Sequence, residues 1–167
     1  MNLYLIRHAI AVDEGDPEYA QDSLRPLTEK GRKKMRQIAR GLRALGAEFD
    51  LIVSSPYVRA RETAEILSDV FNMDEILLSE NLVPGGDPDQ LIAEVNEKYK
   101  ADSIALVGHQ PLLSALVSEL AADQGMIDIT FKKGGVCRLS ADNLLHHRKA
   151  TLEWMLTPGI LVDIGNK

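Results

Sequence analysis

Ser103-Ile104-Ala105-Leu106-Val107 is a short apolar run, and Gly108-His109-Gln110-Pro111 turns it directly into a helical pattern ending near Ala122. A run of this length, bounded by a turn signal, reads as a buried strand. The same arrangement stands twice upstream. Leu3 to Ile6 is an apolar run ending in Arg7-His8, and Leu51-Ile52-Val53 leads through Ser54 into Ser55-Pro56, which reads as an N-cap with proline at the first helical position. Between these two runs, Met35, Ile38, Ala39, Leu42 and Leu45 recur at helical spacing, with Thr28 as the N-cap and Gly46 as the stop. The helix opened by Ser55-Pro56 extends to about Phe71. Ile76 to Leu78 reads as a short strand, Pro84-Gly85-Gly86 as a loop, and Asp87-Pro88 as the start of a helix with Leu91, Ile92, Val95 and Tyr99 on one face. Val136 to Leu139 and Leu152 to Leu156 read as two strands of a hairpin, and Pro158 to Lys167 carries no assignment. Strands alternating with helices over short connections imply an α/β fold. The expected form is a three-layer α/β/α sandwich on a mainly parallel sheet, with the hairpin able to supply an antiparallel edge strand.

The 167 residues suit one domain, 1–167. Hydrophobic residues at 45% and charged residues at 26% are globular proportions, so neither a disordered nor a fibrous chain is expected. Nineteen basic against twenty-five acidic side chains give a net charge of −6, which argues against nucleic-acid binding, where phosphates must be neutralised. The lone cysteine, Cys137, allows no internal disulfide and reads as a buried small hydrophobe. The longest apolar candidate, Leu112 to Ala122, contains Ser114, Ser118 and Glu119 and falls short of the ~18–20 residues that span a bilayer. The start, Met1 to Arg7, lacks the pattern of a secretory signal. The expectation is a cytoplasmic protein, a monomer, without a membrane partner.

In an open α/β sheet the site lies beyond the carboxyl ends of the strands. Those ends carry Arg7-His8, the segment Ser54 to Ala60 with Arg59, and Gly108-His109-Gln110-Pro111. Each histidine or arginine taken alone reads as a structural hydrogen-bonder or a solvated side chain; two of each at one sheet edge suit phosphoryl transfer. The arginine fork matches phosphoryl oxygens and stays charged. A neutral imidazole is a competent nucleophile, and a second imidazole can stabilise the transferring group. No carboxylate cluster has metal spacing, so neither a metal nor another cofactor is expected.

Leu5-Ile6-Arg7-His8-Ala9 resembles the first signature of the histidine phosphatase superfamily. The stretch Ser54 to Ala64 resembles its second motif, and Val107-Gly108-His109 its third. Arg25-Pro26-Leu27-Thr28, His109-Gln110-Pro111-Leu112 and the short chain further resemble the SixA-type phosphohistidine phosphatases. The resemblance implies a phosphoglycerate mutase-like fold. It makes His8 the nucleophile, Arg7 and Arg59 binders of the phosphoryl oxygens, and His109 the group completing the pocket. The expected partner is a phosphohistidine-bearing signalling or phosphotransfer protein. Ala9 departs from the glycine usual after the histidine, and a turn needing positive φ would be strained there.

Other residues carry two readings each. Arg25 is a third cation at the pocket rim or a loop anchor. Glu80 is a general acid or a solvated loop carboxylate. Gln110 can turn its backbone N–H toward an anion at a helix start. Ser54 and Thr63 read as local caps and packing residues, His146 and His147 as solvated turn residues, and Trp154 as packed on the sheet. Arg25, Lys30, Arg32, Lys33, Lys34, Arg36, Arg40 and Arg43 crowd residues 25 to 43; they read as a solvated face with a secondary part in steering anions. The rival functions are a phosphatase for small phosphate esters on the same scaffold and a phosphoprotein-binding module without turnover.

Overall fold

The computed structural model describes residues 1–122, 126–144 and 150–167; His146 and His147 lie outside them. Strands β1 (Asn2–Arg7), β2 (Leu51–Ser54), β3 (Leu77–Leu78), β4 (Ser103–Gly108), β5 (Val136–Ala141) and β6 (Ala150–Leu156) join in one sheet of order β3-β2-β4-β1-β5-β6. β3, β2, β4 and β1 are mutually parallel, while β5 runs antiparallel to both of its neighbours. The antiparallel strand expected at the edge is therefore internal, and the edge strand β6 runs in the direction of β1. A hairpin whose first strand pairs with β1 must place its second strand outside, because β4 already holds the other flank of β1.

Successive residues of a strand point to opposite faces, so the apolar runs supply two cores. Tyr4, Ile6, Ile52, Ala105 and Val107 face one side, where α1 (Glu29–Ala44), α2 (Val58–Phe71) and α5 (Pro158–Gly165) bury Met35, Ile38, Leu42, Ala64, Leu67 and Leu161. Leu3, Leu5, Val53, Ile104 and Leu106 face the other, against Leu91 and Val95 of α3 (Pro88–Lys98) and Leu113 and Leu116 of α4 (Leu112–Ala121). The result is the expected three-layer α/β/α sandwich. Thr28 caps α1, its Oγ1 accepting from the Gly31 N–H at 3.0 Å. Asp87 caps α3 by accepting from the Asp89 N–H, with Pro88 opening the helix. Ser55 does not cap α2; Tyr57 holds that position, and the Ser55 hydroxyl turns elsewhere. None of the described helices is long and apolar enough to cross a membrane.

The closing helix α5 escaped the sequence pattern because its eight residues are punctuated by Pro158, Gly159 and Gly165, which read as loop. Two glycines explain its place. A Cβ on Gly41 of α1 would run into the Leu161 carbonyl, and one on Gly165 into the Gln37 carbonyl, so the two backbones meet with no side chain between them. Helix propensity alone would make Gly41→Ala stabilising by about 1 kcal/mol. The expected outcome here is the reverse: a loss of about 1–3 kcal/mol, the scale of an overpacked contact, read as a lower midpoint in denaturant unfolding. An unchanged or raised midpoint would show that α1 and α5 are not in backbone contact.

Candidate active site

Three neighbouring parallel strands, β2, β4 and β1, end on the same edge, and their register decides which residues meet there. Arg7 pairs with Gly108 and Ser54 with Val107, so His8, His109 and Ser55 emerge side by side. Main-chain bonds continue the ladders past the strands, from the His8 N–H to the Gly108 carbonyl and from the Ser55 N–H to the Val107 carbonyl. The two imidazole rings lie with centroids 5.0 Å apart. They share a cleft of about 500 Å³ that is also lined by Arg7, Arg25, Arg59 and Gln110. Six of the seven expected site residues are thus brought together. Glu80 is exposed at the head of a 3-10 turn, Glu80–Leu82, and does not line the cleft.

His8 is buried, with Nδ1 2.8 Å from the Ala9 carbonyl. A carbonyl only accepts, so in the neutral ring Nδ1 carries the proton and Nε2 keeps its lone pair. The Arg59 Nε–H donates to that lone pair at 3.3 Å. The Ala9 N–H donates to Thr63 Oγ1, which donates in turn to the Arg59 carbonyl, tying the end of β1 to α2. Among the described residues Asn72 is the only non-glycine with positive φ, so Ala9 sits without the strain its departure from the family signature suggested.

The arginines are held by different anchors. Arg59 stacks over the Tyr57 ring, 5.0 Å from its centroid. Its Nη1 donates to the Asp22 carbonyl at 2.7 Å and its Nη2 to Asp22 Oδ2 at 2.9 Å. Arg25 donates from Nε and Nη2 to Asp22 Oδ1, at 2.8 and 2.5 Å, and from Nη1 to the Val12 carbonyl. Arg25 thus lines the cleft and anchors its loop. Burial raises the Asp22 pKa, but the hydrogen bonds from Arg25 and Arg59 outweigh it and hold the carboxyl below its usual range. Arg7 donates through Nη1 to the Phe131 carbonyl, while its Nε is buried without a partner among the described residues.

Several cleft residues went unread in the sequence. Asp22 sits three residues before Arg25, a spacing that places an acid within reach of that arginine in a turn. Lys133 lines the cleft from the segment before β5. Gly134 there, at φ +79°, receives its place from bonds of its N–H to the Arg7 and His8 carbonyls. Asp13 and Glu14 line the cleft beside Pro84, so four cationic side chains face three carboxylates. Gln110 has its side chain engaged with the Ser114 hydroxyl, and its bond to Pro111 is cis. Of the basic side chains on α1, Arg32 pairs with Glu62 and Arg43 donates to the Val70 carbonyl, so both serve the contact with α2. Among the described residues no group of three histidine, cysteine or acidic side chains is placed to hold a metal ion.

Residues 3–83 match the model of the histidine phosphatase superfamily, branch 1. An uncharacterized protein of Picosynechococcus sp. (strain PCC 7002) is 37% identical over 142 residues, 83% of this chain and 84% of its own. The phosphohistidine phosphatase SixA of Escherichia coli K12 is 29% identical over 165 residues, 95% of this chain and 94% of its own. A solved structure of the protein histidine phosphatase SixA complexed with tungstate superposes with a TM-score of 0.80 at 28% identity, covering 96% of this chain and 99% of that one. The chain belongs to the histidine phosphatase superfamily. It is a phosphatase, a hydrolase by class, and within the superfamily its assignment is to the SixA type.

Both imidazoles are held neutral. Burial pushes the His8 pKa down to about 3, opposed by the Ala9 carbonyl and reinforced by Arg59 and Arg7. Burial takes His109 to about 2, with His8 and Arg59 adding to it. In the unfolded chain each titrates near ~6.5. The stability that depends on their neutrality is therefore complete above pH ~6.5 and is lost as pH falls toward 3, at roughly 1.4 kcal/mol per pH unit for each ring. Denaturant unfolding between about pH 5 and 6.5 is expected to show this slope, and His109→Asn to lessen it by one ring's share. An undiminished slope would mean that His109 takes up its proton while still folded.

Proposed function

We propose that this enzyme removes the phosphoryl group from phosphohistidine on a cytoplasmic signalling or phosphotransfer protein, through a covalent phosphohistidine at His8 and without a metal ion. The observation that carries the proposal is the state of His8: its Nδ1–H is committed to the Ala9 carbonyl, and its Nε2 lone pair stands against Arg59 in the cationic cleft. Nε2 attacks phosphorus, the P–N bond of the substrate breaks, and the departing imidazole takes a proton from water. Water then attacks the phosphoryl group on His8, releasing inorganic phosphate and restoring the ring. Arg7 and Arg59, with Arg25 and Lys133 nearby, supply the positive charge that the transferring oxygens need, by positioning and electrostatics. Likeness to SixA supports this substrate: SixA bears the name phosphohistidine phosphatase, and a solved SixA structure holds tungstate, a tetrahedral oxyanion. A monomer with an open cleft suits a side chain presented by another protein.

Brief incubation with a labelled phosphohistidine protein and rapid quenching is expected to leave an acid-labile, base-stable label on the wild type and none on His8→Ala, which should show negligible turnover. Robust labelling of that variant would overturn the assignment of the nucleophile, and a rate abolished by chelation and restored by a divalent ion would overturn the metal-free mechanism.

Glu80 separates this reading from ester hydrolysis. An alkoxide leaving group needs a proton from a placed acid, worth ~10²–10⁴-fold, whereas a P–N bond is already labile. Glu80 does not line the cleft. Glu80→Gln is therefore expected to change kcat/KM on phosphohistidine only a few-fold. A hundredfold loss would move the assignment to small phosphate esters.

A further inference from the structure

His109 differs from His8 in how its nitrogens are used. Its ring is 2% exposed. Nε2 lies 3.0 Å from Ser55 Oγ, and Nδ1 is buried with no hydrogen-bond partner among the described residues. The Nε2 contact alone leaves two tautomers open, because a hydroxyl both donates and accepts. The surroundings of Ser55 close the choice. Ser55 is fully buried, and its Oγ already accepts from the Tyr57 N–H at 3.3 Å. Its own proton needs an acceptor, and the hydrogen bonds of the described residues offer it only His109 Nε2. If Nε2 carried the proton instead, Oγ would receive two donors while its own hydrogen was stranded in a dry site, the costly arrangement for a buried donor. The Nδ1 lone pair would then stand without a donor on a ring that lines a cationic cleft.

We infer that Ser55 is a positioning residue that holds His109 in the Nδ1–H tautomer, so that the second imidazole offers a neutral hydrogen-bond donor to an oxyanion in the cleft. The consequence for turnover rests on the phosphatase reading above; the tautomer does not. The two histidines then work as opposites. A backbone carbonyl makes His8 a bearer of a lone pair at Nε2, and a hydroxyl makes His109 a donor at Nδ1. The other groups around His109 agree. Tyr57 meets the ring edge-on, with centroids 5.3 Å apart, and His8, Arg59, Arg7 and Asp22 complete its charged surroundings. Three cationic or imidazole neighbours against one carboxylate disfavour a second proton on the ring, so the donor must come from the tautomer.

The experiment is nitrogen NMR of the unliganded protein labelled with ¹⁵N-histidine, the His109 signals being identified by their loss in His109→Asn. The expected spectrum has a protonated Nδ1 and a bare Nε2 for both rings, His8 holding its proton toward the Ala9 carbonyl and His109 turning its bare Nε2 to Ser55. Ser55→Ala should move the His109 proton toward Nε2 and weaken the binding of inorganic phosphate about tenfold, the scale of one hydrogen bond to a charged group. Ser55→Thr, which keeps the hydroxyl, should restore both. In a His109→Asn background, Ser55→Ala should cost no further phosphate affinity. A wild-type spectrum with the proton on Nε2 would overturn the inference even if Ser55→Ala did not fold. So would an equal loss of phosphate binding with and without His109. Absence of turnover on phosphohistidine, with the tautomers as expected, would overturn the proposed substrate and leave this inference standing.

Discussion

The pairing of Arg7 with Gly108 and of Ser54 with Val107 is the constraint on which the cleft depends. Strand side chains alternate between faces, so a slip of one residue in either ladder would exchange the two cores and remove an imidazole from the edge. The register is strongly specified because both faces of the central strands are buried and each demands its own apolar set. The chemistry at the edge therefore draws its precision from the packing behind it. Leu5 and Ile6, Leu106 and Val107, and Ile52 and Val53 fix where His8, His109 and Ser55 must stand.

A further set of bonds converts this placement into defined protonation. Strand ends are short of main-chain partners, and here the spare groups are spent on side chains. The Ala9 carbonyl orients His8, the Ala9 N–H takes Thr63, and Thr63 returns to the backbone of α2 beside Arg59. Each of the three strand-end segments at the cleft is thus bonded to another before any ligand arrives. On the opposite side of the sheet, Glu94 of α3 gathers Ser79, Asn81, Lys98 and Tyr99, fixing the turn that leads to Pro84 at the cleft wall. Burial raises the Glu94 pKa, but these four bonds outweigh it and keep the carboxyl below its ordinary range.

What could be read from the chain was whatever local pattern determines. Apolar runs of strand length, caps such as Thr28 and Asp87, and histidines or arginines at strand ends carry their meaning within a few residues. What escaped depends on contacts between distant segments. The spacing of Asp22 from Arg25 marks only their local pair; its bond to Arg59, thirty-seven residues away, leaves no mark in the sequence. Lys133 reaches the cleft, and the Phe131 carbonyl reaches Arg7, only because β5 pairs with β1. Ser55 looked like a helix cap because Ser-Pro is a cap signal, and only the adjacency of β2 and β4 reveals that its hydroxyl has another partner. α5 was hidden for a related reason: its glycines resemble loop residues until α1 is laid against them.

The Asp22 bridge makes anion binding an exchange rather than a capture. Arg25 and Arg59 have their hydrogens engaged by a carboxylate before any oxyanion enters. The cost of withdrawing these guanidinium groups from water has been met during folding, and the cleft does not stand as a bare concentration of charge. An incoming dianion gains the difference between its own pairing and that of the resident carboxylate, not the whole of a new ion pair. Asp22, more exposed than the arginines it joins, is the partner able to yield. For the proposed reaction, such a site would favour doubly charged, tetrahedral oxyanions over carboxylates and halides, because only they would outbid the internal counter-ion. It would also let the small product of that reaction go, since a group to replace it is tethered at the spot.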